Sequence, residues 1–156
     1  MSYPSNKKVA LASFANVVIE LPNHWKDITD TLPQGAPPTL AAENGVGALQ
    51  FSDGIYKGGK VHDMDQESLK RLLDHLEDTQ GFERQMKVQD WKTNFVLGIT
   101  CDYPLDDGFV RVWYCSNGAN VALLTFYTDP ITTPALDAEL QEVDVIARSL
   151  RFKRAV

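Results

Sequence analysis

The segment Val121-Ala122-Leu123-Leu124-Thr125-Phe126 constrains the fold of this chain more than any other, because its odd and even positions are both largely apolar. Successive side chains of a β-strand point to opposite faces of the sheet, so a strand of this composition needs apolar cover on both faces. At the surface of the molecule, one apolar face would remain in water. The segment therefore predicts an interior strand, over about Asn120–Thr128, between two covering layers.

Further segments have the composition of strands and are bounded by turn residues. They are Val9–Phe14, Asn16–Leu21, Thr39–Glu43, Gly47–Ser52, Gln85–Lys92, Asn94–Tyr103 and Phe109–Cys115, with a short edge strand at Phe152. The turn sequences Asn44-Gly45, Asp106-Asp107-Gly108 and Asn117-Gly118 lie between consecutive segments and favour tight hairpins. Hairpins join neighbouring strands in opposite directions, so the predicted sheet is antiparallel.

The first of two amphipathic helices is expected over about Gln66–Asp78. Its leucines recur at helical spacing and form one apolar stripe: Leu69, Leu72, Leu73 and Leu76. Asp65 can cap the start of this helix, because a carboxylate there accepts hydrogen bonds from free backbone N–H groups. Gly81 lies where a left-handed residue commonly ends a helix.

The second helix is expected from Pro134 to about Ser149, with Thr133 as its cap. Two helices with one apolar stripe each, and an interior strand that is apolar on both faces, fit one arrangement. We predict an α+β protein in which an antiparallel β-sheet carries helices packed on its two faces. The 156 residues suit a single domain over residues 1–156, and the loop at Thr31–Pro38 comes too early in the sequence to divide it.

Charge narrows the class of partner. The chain has 15 Lys and Arg against 21 Asp and Glu, which gives a net charge of −6. Nucleic acids and anionic membranes are themselves negatively charged, so neither is expected as the main partner. A basic protein surface is compatible with this charge.

The expected location is the cytoplasm. Ser13, Asn16 and Glu20 interrupt the apolar residues near the start, so a secretory signal is not expected. No apolar run is long enough to span a bilayer. Cys101 and Cys115 occupy strand segments, and a hairpin at residues 106–108 offsets them from each other, so two reduced thiols are expected.

Motifs for catalysis, metal binding or cofactor binding are missing from the sequence. His24, His62 and His75 are far apart, and the acidic residues beside His62 are explained by the capping of the first helix. The glycine groups match neither a dinucleotide fingerprint nor a phosphate-binding loop, and no serine stands in a nucleophile elbow. We therefore predict no catalytic residue, no metal and no cofactor.

Acidic and aromatic residues give the remaining functional signal. Asp102, Asp106, Asp107 and Asp129 lie near strand ends, where aspartate commonly caps turns. A carboxylate cluster there could alternatively hold a cation, act as acid and base, or meet basic groups of a protein. Aromatic side chains crowd the second half of the sheet, and a ring left uncovered beside an acidic rim would be typical of a protein-binding surface.

Short fragments and the order of elements resemble a known family. The fragments are Leu21-Pro22-Asn23-His24-Trp25 and Ile146-Ala147-Arg148-Ser149-Leu150-Arg151-Phe152. Together with the order of strands and helices, they resemble the Mog1/PsbP-like α/β/α sandwich, including small bacterial proteins of the DUF1795 (DcrB-like) type. The resemblance implies binding roles: an accessory subunit of photosystem II, a binder of a nuclear-transport GTPase, or an adaptor chaperone for type VI secretion effectors. It supplies no catalytic residues.

Small acidic cytoplasmic proteins of related architecture also resemble immunity proteins of bacterial toxin systems. The favoured hypothesis is therefore a non-enzymatic bacterial immunity protein that blocks a cognate toxin by occlusion. Its expected contact residues are four acidic and two aromatic ones: Asp53, Asp106, Asp107, Asp129, Trp113 and Tyr127. The alternatives are a secretion adaptor of the DUF1795 type, which would need an apolar groove and a homodimer, and a hydrolase that uses the aspartate cluster or His62.

Overall fold

The computed structural model describes residues 9–14, 16–55, 64–129 and 134–153. These residues form ten strands, two α-helices and a short 3-10 turn at Thr29–Thr31. The strands are β1 (Val9–Phe14), β2 (Val17–Pro22), β3 (Trp25–Asp27), β4 (Thr39–Ala42), β5 (Gly47–Ile55), β6 (Gln89–Lys92), β7 (Leu97–Leu105), β8 (Gly108–Ser116), β9 (Asn120–Thr128) and β10 (Arg151–Phe152). The helices are α1 (Gln66–Gln80) and α2 (Pro134–Arg148).

Seven strands form one antiparallel sheet in the order β3-β4-β5-β9-β8-β7-β6. The strand β9 lies between β5 and β8, which confirms the prediction of an interior strand. Leu124 at its centre pairs with Phe51 on one side and with Trp113 on the other. All three side chains are buried, so this row is apolar across the middle of the sheet.

The two faces of this sheet carry one helix each. Leu69 and Leu73 of α1 pack with Tyr103 and Val112 on one face. On the other face, α2 packs through Val143 and Ile146 against a cluster that includes Trp113, Leu124 and Phe126. Neighbouring residues of β8 point in opposite directions, which is why Val112 and Trp113 belong to different clusters. The predicted α+β sandwich with helices on both faces of an antiparallel sheet is therefore confirmed.

The first two strands do not join this main sheet. Instead, β1, β2 and β10 form a separate three-stranded antiparallel sheet on the same side as α2. Val17 and Ile19 of β2 are fully buried there, and the ring of Phe14 meets the ring of Phe51 edge to face at 4.8 Å between centroids. The sequence pattern predicted these strands but not their separate sheet, because alternation says nothing about which strands pair.

The strand pattern differs from the sequence expectation at three places. Residues Trp25–Asp27, for which the sequence predicted no strand, form the edge strand β3, with Trp25 opposite Ala42. The strand expected from Gln85 begins at Gln89. The strand expected from residue 94 begins at Leu97, because the hydroxyl of Thr93 accepts hydrogen bonds from the N–H groups of Phe95 and Val96 at 3.1 and 3.2 Å. This local turn competes with the ladder between strands.

Both helices begin where the sequence predicts. The Oδ1 atom of Asp65 accepts the N–H of Ser68 at 2.8 Å, and Gly81 ends α1 with a left-handed φ of 71°. The helix α2 begins at Pro134, while its predicted cap Thr133 lies outside the described residues, as do His62 and Asp63. Neither described helix is long and apolar enough to cross a lipid bilayer.

The two cysteines are separated by the sheet. Cys101 pairs with Val112 and belongs to the α1 cluster, whereas Cys115 belongs to the α2 cluster. Both thiols are free and buried, which confirms the expectation that they are not bridged. Burial raises the pKa of both thiols, in the case of Cys115 to about 12.

Candidate functional site

An open recess of about 580 Å³ lies where the β7–β8 turn meets the start of β5 and the end of β9. We call it the acidic recess. Its lining residues come from these three places: Gly45, Val46, Gly47, Ala48, Leu105, Asp107, Gly108, Tyr127, Thr128 and Asp129. The antiparallel registers bring them together, because Thr128 pairs with both Gly47 and Phe109. The site is therefore a product of strand pairing over distant parts of the sequence.

Two glycines make the close approach of these strands possible. A Cβ atom on Gly108 would lie 2.4 Å from the carbonyl oxygen of Thr128, and one on Gly47 would lie 2.5 Å from the carbonyl oxygen of Tyr127. A Cβ atom cannot lie this close to a backbone carbonyl oxygen, so any side chain at these two positions would force the strands apart. The two glycines thus allow the β7–β8 turn and the start of β5 to lie against β9, which brings Asp107 and Asp129 to the same recess.

The described residues that line the recess include two aspartates and no Lys, Arg or His. Asp106, Asp107 and Asp129 are exposed, and in the described part of the chain no Lys, Arg or His forms a salt bridge with them. Tyr127 adds a ring that is 39% exposed. Partial burial raises the pKa of its phenol, so the hydroxyl stays neutral at physiological pH and can both donate and accept a hydrogen bond.

Three of the six predicted contact residues, Asp107, Asp129 and Tyr127, line the acidic recess together. Asp106 precedes Asp107 in the same exposed turn. Asp53 lies on β5 opposite Ala122, six residues and therefore roughly 20 Å along the strand from Gly47. It does not join the recess.

Trp113 needs a correction. It was expected as an exposed aromatic anchor, but its side chain is fully buried under α2, and its indole N–H donates to Oδ1 of Asp144 at 3.0 Å. Alternation along the strand places Trp113 on the same face of β8 as Arg111. It could not tell that α2 covers this part of the face, because that depends on where the helix packs.

A residue that sequence reasoning missed holds one wall of the recess. Both carboxylate oxygens of Glu139, on α2, accept the N–H of Val46 at 3.1 Å, and one of them also accepts the N–H of Gly47 at 3.0 Å. Burial raises the pKa of Glu139, and these backbone hydrogen bonds partly offset that rise. Glu139 lies more than 90 positions from Val46 and Gly47 in the sequence, so no local signal could have predicted these hydrogen bonds. We call this contact the Glu139 clamp.

Glu142, one turn further along α2, anchors the start of β3 in a similar way. One of its carboxylate oxygens lies within hydrogen-bond distance of Nε2 of His24 and accepts the indole N–H of Trp25. His24 is thereby occupied by a structural contact between the helix and the edge of the sheet. Two glutamates of α2 thus fix the loops before β3 and β5.

Asp102 does not belong to the acidic recess. It lines a smaller recess of about 210 Å³ near the start of β6, where Arg111 binds it through two hydrogen bonds of 2.6 and 2.9 Å. The two residues are direct partners across β7 and β8. This pairing neutralises Asp102, so the four aspartates considered from the sequence do not form one cluster. In the described ranges, no group of three or more His, Cys, Asp or Glu side chains is arranged to hold a metal ion.

Comparison with known proteins supports the fold. The solution structure of cyanobacterial PsbP (CyanoP) from Synechocystis sp. PCC 6803 superposes on this chain with a TM-score of 0.59 at 11% sequence identity. The superposition covers 98% of each of the two chains. A crystal structure from Bacteroides thetaiotaomicron VPI-5482 superposes with a TM-score of 0.62 at 8% identity; it covers 94% of this chain, which spans 48% of that one. No family model and no curated protein matches the sequence. The chain therefore has a PsbP/Mog1-like fold.

Proposed function

We propose that this chain is a non-enzymatic protein-binding protein of the bacterial cytoplasm, and specifically an immunity protein that neutralises a cognate toxin by occlusion. The observation that carries the proposal is the grouping of Asp107, Asp129 and Tyr127 around one open recess. Uncompensated carboxylates attract the Lys and Arg side chains of a basic surface. The half-exposed tyrosine supplies the apolar contact area that binding hot spots need.

The proposed mechanism separates capture from retention. The net charge of −6 and the acidic recess raise the rate at which a basic partner arrives. Burial of the Tyr127 ring between the two proteins then slows release. No bond of the toxin has to change, because this chain, once bound, covers the toxin's active site.

Charge reversal at the recess tests the proposal. The chain is produced together with the protein encoded beside its gene, and that protein is expected to stop cell growth when it is produced alone. The wild-type chain is expected to restore growth, and the double variant Asp107→Lys/Asp129→Lys is expected to lose at least tenfold in affinity for the purified toxin, because each lost charge pair costs on the order of 1–2 kcal/mol. Calorimetry measures the affinity.

Asp78→Lys is the matched control, since Asp78 is an exposed aspartate near the end of α1 and outside the recess. It changes the net charge by the same amount per site as each recess substitution. Protection that survives the double variant, or that Asp78→Lys abolishes equally, would remove the acidic recess as the binding site. If the wild-type chain does not protect at all, the immunity role is wrong.

A secretion adaptor is the second candidate, and a specific feature favours it. A recess of about 170 Å³ on the α1 side of the sheet is partly lined by the apolar side chains of Leu76, Phe82 and Leu123. An adaptor that shields apolar effector segments is expected to bind anilinonaphthalene sulfonate, a dye that fluoresces in apolar surroundings, and to release it when an apolar peptide is added. A chain that leaves the dye dark has no such groove, and the adaptor role would then fail.

The non-enzymatic part of the proposal rests on the state of the aspartates. Asp102 is engaged by Arg111. The remaining three are exposed: Asp106 and Asp107 lie in the β7–β8 turn, and Asp129 directly follows β9. A general acid or base has to be held within hydrogen-bond reach of the reacting atom, and a carboxylate in an exposed position is surrounded by water instead. We therefore expect no turnover of ester, phosphodiester or glycoside substrates by the purified chain, and turnover that Asp107→Asn abolishes would overturn this part.

A further inference from the structure

Several free strand edges in the described part of the two sheets are protected. The edge strands β3, β6 and β10 are only two to four residues long, and each carries charged side chains: Lys26, Asp27, Asp90, Lys92 and Arg151. Where β7 continues beyond β6, it contains Asp102 and Pro104. Short length, charge and proline are the features by which proteins keep a sheet edge from pairing with another chain.

The strand β1 has none of these features. Its sequence Val-Ala-Leu-Ala-Ser-Phe contains neither a charged residue nor a proline over six positions. It pairs with β2 on one side, and no described strand pairs with its other side. Leu11 is 60% exposed, more than any other large apolar side chain in the described part of the chain, and Val9 is 39% exposed. Natural proteins seldom leave such an edge open.

The two faces of β1 restrict how another strand could pair with it. Ala12 and Phe14 pack against the core, whereas Val9 and Leu11 point outward. A second copy related by a two-fold axis perpendicular to the sheet keeps its core face on the same side. Residues directly opposite each other then share a face. An even-numbered residue of one copy must therefore lie opposite an even-numbered residue of the other, and an odd-numbered residue opposite an odd-numbered one. Two such registers, centred on Leu11 and on Ala12, each pair five of the six residues of β1. The register centred on Leu11 is the one that places the outward Leu11 side chains of the two copies opposite each other.

We propose that β1 pairs antiparallel with β1 of a second copy of this chain, which joins the two three-stranded sheets into one continuous sheet across a homodimer. In this register Ala10 lies opposite Ala12 of the other copy, and Val9 lies opposite Ser13. The unpaired backbone groups of both edges become hydrogen-bonded, and the outward Leu11 side chains cover each other. The interface is isologous, so it closes at two copies.

A second copy fits this edge better than a foreign peptide for two reasons. The strand carries no charge that would select a charged partner, although the chain as a whole has a net charge of −6. Self-pairing also brings no like charges together, because the nearest carboxylate, Glu20, lies on β2 opposite Leu11. The two copies of Glu20 would be three strand spacings apart, about 14 Å, which exceeds the Debye length of about 8 Å in physiological salt.

Sedimentation of the full chain tests the proposal. At roughly 100 µM, a concentration suited to the weak affinity of a small interface, the wild-type chain is expected to sediment at twice its mass of 17.4 kDa. Leu11→Lys would place two ammonium groups next to each other at the two-fold axis of the dimer. This variant is therefore expected to sediment as a monomer. Met86→Lys, which charges another exposed apolar side chain at 48% exposure, is the matched control and should remain a dimer.

A single-copy mass for the wild-type chain overturns the proposal. So does a Leu11→Lys variant that remains dimeric, or a Met86→Lys variant that also dissociates, since the effect would then come from net charge. Leu11 is exposed enough that the lysine should not disturb folding, and the circular dichroism spectrum of each variant verifies this.

Cross-linking tests the register independently of affinity. Directly opposite residues of antiparallel strands have Cα atoms about 4.5–5.5 Å apart, which a disulfide can bridge. Leu11→Cys is therefore expected to form a covalent dimer when oxidised by copper phenanthroline. Ser13→Cys should not form one, because in this register residue 13 of one copy lies about 13 Å along the strand from residue 13 of the other copy. Equal cross-linking of both variants, or of neither, contradicts the proposed pairing; the native thiols are buried and serve as an internal blank.

Discussion

Gly98 illustrates how single residues decide the packing of the main sheet. It lies on β7 opposite Trp91, and a Cβ atom there would come within 2.2 Å of the Trp91 ring. The indole therefore lies flat over a position that has no side chain. Its N–H donates to the hydroxyl of buried Thr100 at 2.8 Å, and the guanidinium of Arg148 lies 5.3 Å from the ring centroid. One glycine thus makes room for a ring that links β6, β7 and α2.

Gly98→Ala is expected to lower the free energy of unfolding by about 1–3 kcal/mol, because the added methyl group overfills a buried site. Urea denaturation measures the change. The same substitution in a Trp91→Leu background should cost much less, since the clashing ring atoms are gone. An equal cost in both backgrounds would show that the ring is not the cause.

The cysteines allow a second test at this scale. Because both thiols are buried and their pKa values are raised, the native chain is expected to react with a thiol reagent at pH 8 far more slowly than the urea-unfolded chain. Absorbance of the released thiolate follows the reaction. Fast consumption of two equivalents by the native chain would contradict the burial of Cys101 and Cys115.

At the scale of elements, side chains of one element fix the ends of another. The carboxylate of Asp65 closes the first turn of α1, whereas Glu139 of α2 holds the turn between β4 and β5. The first contact is local and follows from sequence. The second joins a helix to a hairpin, and it determines the shape of the acidic recess because Val46 and Gly47 line it.

Asp65→Ala is expected to destabilise the chain at neutral pH and to lose this effect in acid. The hydrogen bond from the Ser68 N–H lowers the pKa of Asp65 below its usual 3.8. A lowered pKa in the folded state contributes stability above pH 3.8 that is lost as the pH falls through the folded value. Thermal unfolding between pH 2 and 7 measures the difference.

Asp65→Asn is the control for this experiment, because asparagine caps a helix without titrating. Its melting temperature should remain close to that of the wild-type chain at neutral pH. A deficit of Asp65→Ala that is unchanged at pH 2 would mean that the charged carboxylate is not what stabilises the start of α1.

Glu139→Ala is expected to cost about 1–3 kcal/mol of stability, because it leaves two backbone N–H groups without their acceptor. Hydrogen exchange should become faster at the amides of Val46 and Gly47, as measured by NMR. Asp137→Ala changes an exposed carboxylate on the same helix and should leave both rates unchanged. Unchanged exchange in Glu139→Ala would rule out the clamp.

At the scale of the whole molecule, the sandwich displays its two candidate surfaces on different sheets. The acidic recess lies at strand ends of the main sheet, and the free edge of β1 belongs to the small sheet. Recognition at the first depends on charge, whereas pairing at the second depends on backbone hydrogen bonds and apolar contact. The two proposals can therefore be separated by their response to salt.

Raising the salt concentration from 50 to 500 mM is expected to reduce the association rate with a basic partner by about tenfold or more and to change the dissociation rate much less. Screening acts on long-range attraction more than on the buried contact. Stopped-flow fluorescence resolves both rates. If salt changes only dissociation, the acidic recess does not steer the partner, whereas the β1 dimer should persist at either salt concentration.

The sequence alone determined most of the elements and the architecture. Helical periodicity, the Asp65 cap, the turn glycines and the doubly apolar Asn120–Thr128 strand are local patterns, and each corresponds to a feature of the fold. Only the tertiary structure decided which side chains meet: Trp113 beneath α2, Asp102 with Arg111, Glu139 on a distant hairpin and β1 in a sheet of its own. The physical reason is that backbone preferences act between neighbours along the chain, whereas burial and pairing are settled between segments that the sequence keeps far apart.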